Sequence, residues 1–139
     1  MMKWNHNANS SCVLCSDPFE TRDHLFFMCP YSRKVWVELV EGLLLNRFTT
    51  SWQDIMKICA DKDYDKTKRF LLRYVFQNAI HSIWRERNAR RHREQPSMPE
   101  KLVKLIDKNL RNRMSTIPRR GEGIYAKGLQ VWFASRRHQ

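Results

Sequence analysis

The sequence predicts a mainly α fold: a small CCHC zinc knot followed by a bundle of about four to five helices. Three observations lead there. Three of the four cysteines crowd into residues 12–29 with His24 between them. Apolar residues then recur at helical spacing in five separate stretches. With 4 Gly and 5 Pro in 139 residues, little turn chemistry is left for an all-β chain. The length fits a single domain over 1–139, able to bury about two-thirds of its unfolded surface. Within it the pattern marks a knot over 10–30, a helical core over 31–93 and a basic helical C-terminal extension over 94–139. A hydrophobic fraction of 42% and an aromatic fraction of 12% argue against disorder. No apolar run approaches the roughly 18 residues of a membrane span.

The knot comes first. Its ligand pattern is Cys12-x2-Cys15-x8-His24-x4-Cys29. Two thiolates two residues apart grip one ion from a tight turn, and His24 and Cys29 close the shell from the other arm. Three sulfurs and one imidazole nitrogen suit one tetrahedral, structural Zn2+. All four positions are then filled by protein, so no place is left for a catalytic water. The alternative is a pair of reduced core cysteines beside an unrelated histidine. Four cysteines are too few for the disulfide framework of a small secreted domain, and the N-terminus lacks a signal sequence. The thiols are therefore expected to be reduced, in an intracellular compartment. A small hairpin inside the knot is compatible with the pattern. Leu25, Phe26, Phe27 and Met28 are expected to bury against the next helix, with base stacking by the two phenylalanines as the alternative.

The helices follow in order. Pro30 suits a first helical position, and Val35, Trp36, Leu39, Val40 and Leu43 carry a helix over 31–45. A loop spans Asn46 to Thr50. Ser51 with Asp54 resembles a capping box and opens a short helix over 52–60, with Trp52, Ile55, Met56 and Cys59 on one face. Asp61 to Asp65 is a polar connector. The helix over 66–93 is apolar nearly all round, so it should be central and packed on several sides. Its last turns, Arg85 to Arg93, are almost wholly polar and should protrude or dock elsewhere. Ser97 and Glu100 form a second capping box for a helix over 99–115, with Leu102, Val103, Ile106, Leu110 and Met114 inward. Pro118 to Gly123 is a loop, and Tyr125 to Arg137 forms a last helix carrying Leu129, Trp132 and Phe133.

The run CVLCSDPFETRDHLFFMCPYSRKVW, Cys12 to Trp36, resembles the zinc-binding domain found downstream of the polymerase in plant non-LTR retrotransposon reverse transcriptases. The resemblance rests on Cys12, Cys15, His24 and Cys29, on the apolar HLFF and on the Ser-x-x-x-Trp of the next helix. The segment IWRERNARRH, Ile83 to His92, is similar to one that often follows in these elements. The resemblance covers 12–45 firmly and 66–93 loosely. It implies a zinc-stabilised, nucleic-acid-associated module, here detached from the polymerase, and carries over no activity.

Charge sets the partner class. Lys and Arg number 26 against 14 Asp and Glu, for a net +12. Residues 1–64 hold 7 basic and 8 acidic residues, whereas residues 65–139 hold 19 and 6. A polyanion is thus expected on the second half, nucleic acid first (RNA before DNA) and an anionic membrane surface second. The knot itself is a poor phosphate surface: three thiolates and Zn2+ sum to −1, and Asp17, Glu20 and Asp23 face only Arg22 between the ligands. On helix 99–115, Lys101, Lys104, Lys108 and Arg111 form one stripe about 15 Å long. A second cluster is Arg85, Arg87, Arg90, Arg91 and Arg93, partly explained by the helix dipole. Arg119 and Arg120, joined by Arg136 and Arg137, make a third. His81 reads as a hydrogen-bonded core or boundary residue and Cys59 as an inert buried thiol.

No paired carboxylates, Gly-rich phosphate loop or partnered nucleophile stands out, so the chain is expected not to be an enzyme. No membrane or small-molecule substrate is implied. The leading expectation is a non-catalytic RNA-binding module, with other proteins of a ribonucleoprotein particle such as an organellar (mitochondrial) ribosome as neighbours. Two alternatives stand beside it: a free-standing, retrotransposon-derived nucleic-acid binder in the nucleus, and a protein adaptor docking through Trp52, Trp132 and Phe133.

Overall fold

A computed structural model describes residues 12–15, 21–22, 24–116 and 122–136. Five α-helices account for most of them: α1 Pro30–Leu44, α2 Trp52–Ala60, α3 Lys66–Arg91, α4 Pro99–Thr116 and α5 Glu122–Arg136. There is no strand among the described residues. The knot uses a turn at 12–15 and a π-helical turn, His24–Met28, where a hairpin was an option. No helix among the described residues is long and apolar enough to cross a membrane.

Local chemistry explains the helix ends. Cys29, extended at φ −60° and ψ 134°, opens α1 with Pro30 behind it, and its carbonyl accepts from Arg33 N at 2.7 Å. The expected loop after α1 begins as a 3-10 turn, Leu45–Arg47, with Leu45 at φ 52°. The Ser51 hydroxyl accepts from Asp54 N, one half of the capping box, while Ser51 N donates to Thr49 Oγ1 at 3.0 Å, and Asp65 caps α3 through Lys68 N at 2.9 Å. The second box does not form. The helix starts at Pro99, so Ser97 lies outside the cap position, and the Glu100 carboxylate instead pairs with Lys34 on α1.

α3 is the axis of the bundle and touches the π-turn and all four other helices. Leu71, Leu72, Val75, Ala79 and Ile83 on it are buried, with Phe70, Tyr74, Phe76, Ile80 and Trp84 half-buried around them. This all-round packing is what its apolar circumference demanded. α4 and α5, from the basic part of the chain, pack directly on α1 and α3. Trp132 of α5 is fully buried and its indole N–H donates to Asp107 Oδ1 of α4 at 2.7 Å. α1 and α5 cross closely at Gly42: a Cβ there would lie 2.2 Å from the Ser135 carbonyl oxygen.

Candidate metal centre

Cys12, Cys15, His24 and Cys29 converge, their ligand atoms all within 4.8 Å of one another. Cys12 and Cys15 come from one tight turn. His24 and Cys29 are brought together by the π-turn, whose closing bond runs from Cys29 N to the His24 carbonyl at 2.6 Å. Thr21 fixes the start of that turn: its hydroxyl accepts from His24 N at 3.1 Å and its carbonyl from Leu25 N at 2.9 Å. Cys29 is thus both a ligand and the first residue of the α1 cap, which ties the metal position to the bundle.

The donor set fits zinc. A tetrahedron with Zn–S bonds near 2.3 Å has S···S edges of about 3.8 Å, and Cys12 Sγ lies 3.9 Å from Cys29 Sγ. His24 Nε2 lies 3.2 Å from Cys15 Sγ, so that nitrogen faces the cluster. All four cysteines carry free thiols. The Cys12–Cys29 sulfur contact lowers the Cys12 thiol despite burial, and the same contact together with burial pushes the Cys29 thiol up. Metal binding requires all three thiols as thiolates, so it would release protons from the cluster. Bound Zn2+ would supply cross-linking of the two arms. With four protein donors the shell is closed.

The apolar residues between the ligands anchor the knot. Leu25, Phe26 and Phe27 are fully buried, so they are core and not base-stacking groups. Phe27 stacks on Phe76 of α3 at 5.7 Å and 19°, and meets Trp36 and Trp52 edge-on at 5.1 and 5.6 Å. Met28, by contrast, is 61% exposed. Arg22 lies over the Trp52 ring at 4.3 Å. Asp17, Glu20 and Asp23 lie outside the described residues.

The cationic residues divide into two kinds. Lys101, Lys104 and Lys108 are exposed on α4, and no ion pair involves them among the described residues. Arg111 shares their stripe but pairs with Asp107 at 3.1 Å, an acid at the edge of the stripe. The arginine cluster of α3 splits. Arg85 and Arg93 are exposed. Arg90 binds buried Glu86 at 2.7 Å and the Ser97 carbonyl at 3.1 Å, and lies over the Tyr31 ring. Arg87 lies over the Trp84 ring at 4.8 Å and Arg91 is half-buried. Arg136 binds the Glu38 carbonyl and faces Asp107. Arg119, Arg120 and Arg137 lie outside the described residues.

Two further placements differ from expectation. His81 is exposed rather than in the core. Trp132 is wholly buried, so the trio suggested for protein docking is broken up, although Phe133 is 45% exposed. Cys59 is buried as expected, and burial pushes its thiol up. The feature missed from the sequence is the Glu86 hub. Its Oε2 accepts from Arg90 Nε and from Ser97 N at 2.9 Å, while Tyr31 OH donates to the Ser97 carbonyl at 2.8 Å. The lone acid in IWRERNARRH was the available signal, since a buried carboxylate needs a cationic partner.

No curated protein and no solved structure matches the chain. A family model does: that of the zinc-binding domain in reverse transcriptase, over residues 1–36. Cys12, Cys15, His24 and Cys29, the four residues that converge, all lie within that match. Residues 1–36 thus match the zinc-binding domain of reverse transcriptases, and the Cys3His group that could hold the ion sits at the front of a helical bundle.

Proposed function

We propose that this protein is a non-catalytic, zinc-stabilised nucleic-acid-binding module, with RNA as the favoured ligand and a ribonucleoprotein particle as its setting. The observation that carries this reading is the exposed lysine row of α4. Lys101, Lys104 and Lys108 fall within about 60° of arc at 100° per residue, on the face away from buried Leu102, Val103, Ile106 and Leu110. A row of cations on a rigid helix can follow a phosphate backbone, releasing condensed counterions as it binds. Exposed Arg85 and Arg93 extend the positive surface from α3. The metal contributes indirectly, by holding the aromatic floor on which α1, α2 and α3 meet.

A salt titration of a labelled RNA oligomer tests the reading. Affinity should fall steeply with salt, and reversing Lys101, Lys104 and Lys108 to glutamate should remove about 2–3 from the log–log salt slope. Arg111 is left intact because its reversal would break the Asp107 pair. Zinc content and helicity should stay unchanged. Binding that survives the triple reversal, or that ignores salt, would remove α4 from the contact surface.

A further inference from the structure

An aromatic groove runs between the start of α2 and the middle of α3. Trp52, Phe76, Gln77, Ile80, His81 and Trp84 line it, and it encloses about 290 Å3. That volume is at the small end of ligand clefts, about 300–1,000 Å3, and suits one planar ring system better than a large molecule. Gln77 and His81 on its wall are exposed, and both offer donors and acceptors.

Charge identifies the occupant. A guanidinium lies over an indole ring at each end: Arg22 on Trp52 at 4.3 Å and Arg87 on Trp84 at 4.8 Å. No carboxylate is among the lining residues. The α3 sequence from Lys66 to Arg85 contains no acid at all. Two larger pockets differ in this respect: Glu86 and Glu94 line the one beside Ser97, and Asp54 lines the one beside Phe48. An apolar slot with π-faces, hydrogen-bonding walls and cationic ends matches an unpaired nucleotide, whose base stacks and whose phosphates seek arginine.

We infer that the Trp52–Trp84 groove is a stacking site for one unpaired nucleobase, so that the protein prefers single-stranded nucleic acid to duplex. This rests on the nucleic-acid reading above and adds the ligand class, since a paired and stacked base cannot enter the groove. The lysine row of α4 supplies sequence-independent phosphate contact, and the groove adds the base.

The full chain with zinc bound is titrated with a 12-nucleotide oligoadenylate, with a base-free ribose-phosphate oligomer of the same length, and with a 12-base-pair RNA duplex. The wild type should bind the oligoadenylate about tenfold more tightly than the base-free chain, with quenching of tryptophan emission. Trp84→Leu should abolish that difference and leave affinity for the base-free chain unchanged. If this variant fails to fold, irradiation of the wild type with a 4-thiouridine oligomer gives an independent answer. Crosslinks should map to the tryptic peptide Tyr74–Arg85, and crosslinks confined to α4 would overturn the groove assignment. Equal binding of adenylate and base-free chains also overturns it, while leaving phosphate recognition intact. If the wild type binds none of the three in dilute salt, the functional reading itself fails, and the groove assignment with it.

Discussion

The front and the back of this molecule are built on opposite principles. Around the metal centre nearly every side chain has its place fixed by a partner: Cys29 is ligand and helix cap at once, and Phe27 touches Trp36, Trp52 and Phe76. Along the outer face of α4, Lys101, Lys104 and Lys108 are exposed and make no ion pair among the described residues. A fixed site supports structure. A row of solvated cations adds little to stability and keeps its charge available for a ligand. The Glu86 hub lies between these extremes, made of the same arginine-rich sequence that reads as a binding surface but turned inward.

The sharpest way to break the contrast is to remove the metal. Zinc binding by such ligand sets is worth about 10–16 kcal/mol near neutral pH, as much as the whole stability of a typical domain, about 5–15 kcal/mol. Chelation, or Cys12→Ser, should therefore unfold the knot and release Leu25, Phe26 and Phe27 from the core. Loss of near-ultraviolet circular dichroism from the aromatic cluster reports this directly. A Cys12→Ser protein that keeps its fold but loses nucleic acid would reverse the roles assigned to front and back.

The next largest effect belongs to Glu86. Glu86→Ala leaves Arg90 Nε and the Ser97 N–H without an acceptor and the partly buried guanidinium without its counter-charge, a loss of about 2–4 kcal/mol. Chemical denaturation should show it as a lower midpoint with an unchanged slope. A loss below about 0.5 kcal/mol would mean that the hub is solvated and that Arg90 belongs with the exposed cations after all. Gly42→Ala should follow at about 1–3 kcal/mol, since overpacking outweighs the gain in helix propensity. Its Cβ meets backbone, the Ser135 carbonyl, rather than a side chain that can swing aside. The α1–α5 crossing would have to open.

What could be read in advance follows the same division. The ligands, the helices and the burial of Leu25, Phe26 and Phe27, though not of Met28, were legible because spacing and periodicity are local signals. The destinations of individual arginines were not. Arg85 and Arg93 point outward, while Arg90 is held by Glu86 and Ser97. Nothing in IWRERNARRH separates these cases, because the choice depends on where the loop before α4 passes. His81 was misplaced for a related reason. A histidine in a helix that is apolar all round looks buried, but α2 covers only part of that face and leaves the groove open. The π-turn likewise has no periodic signature in five residues. It is imposed by the requirement that His24 and Cys29 reach one ion.

The smallest stability change should accompany the clearest functional one. Lys104→Gln removes one exposed charge that makes no ion pair among the described residues, so stability should move by no more than about 0.5 kcal/mol. If Lys104 contacts a phosphate, the same change lowers the log–log salt slope of RNA binding by about one, with affinity reduced alike for all sequences. Arg111→Gln provides the internal control. Its guanidinium already pairs with Asp107, so a phosphate must compete with a carboxylate for it, and its substitution should change the slope by less. Equal slopes for the two variants would show that the Asp107 pair opens on binding. That would make Arg111 a full member of the row and extend the phosphate track to its whole length of about 15 Å.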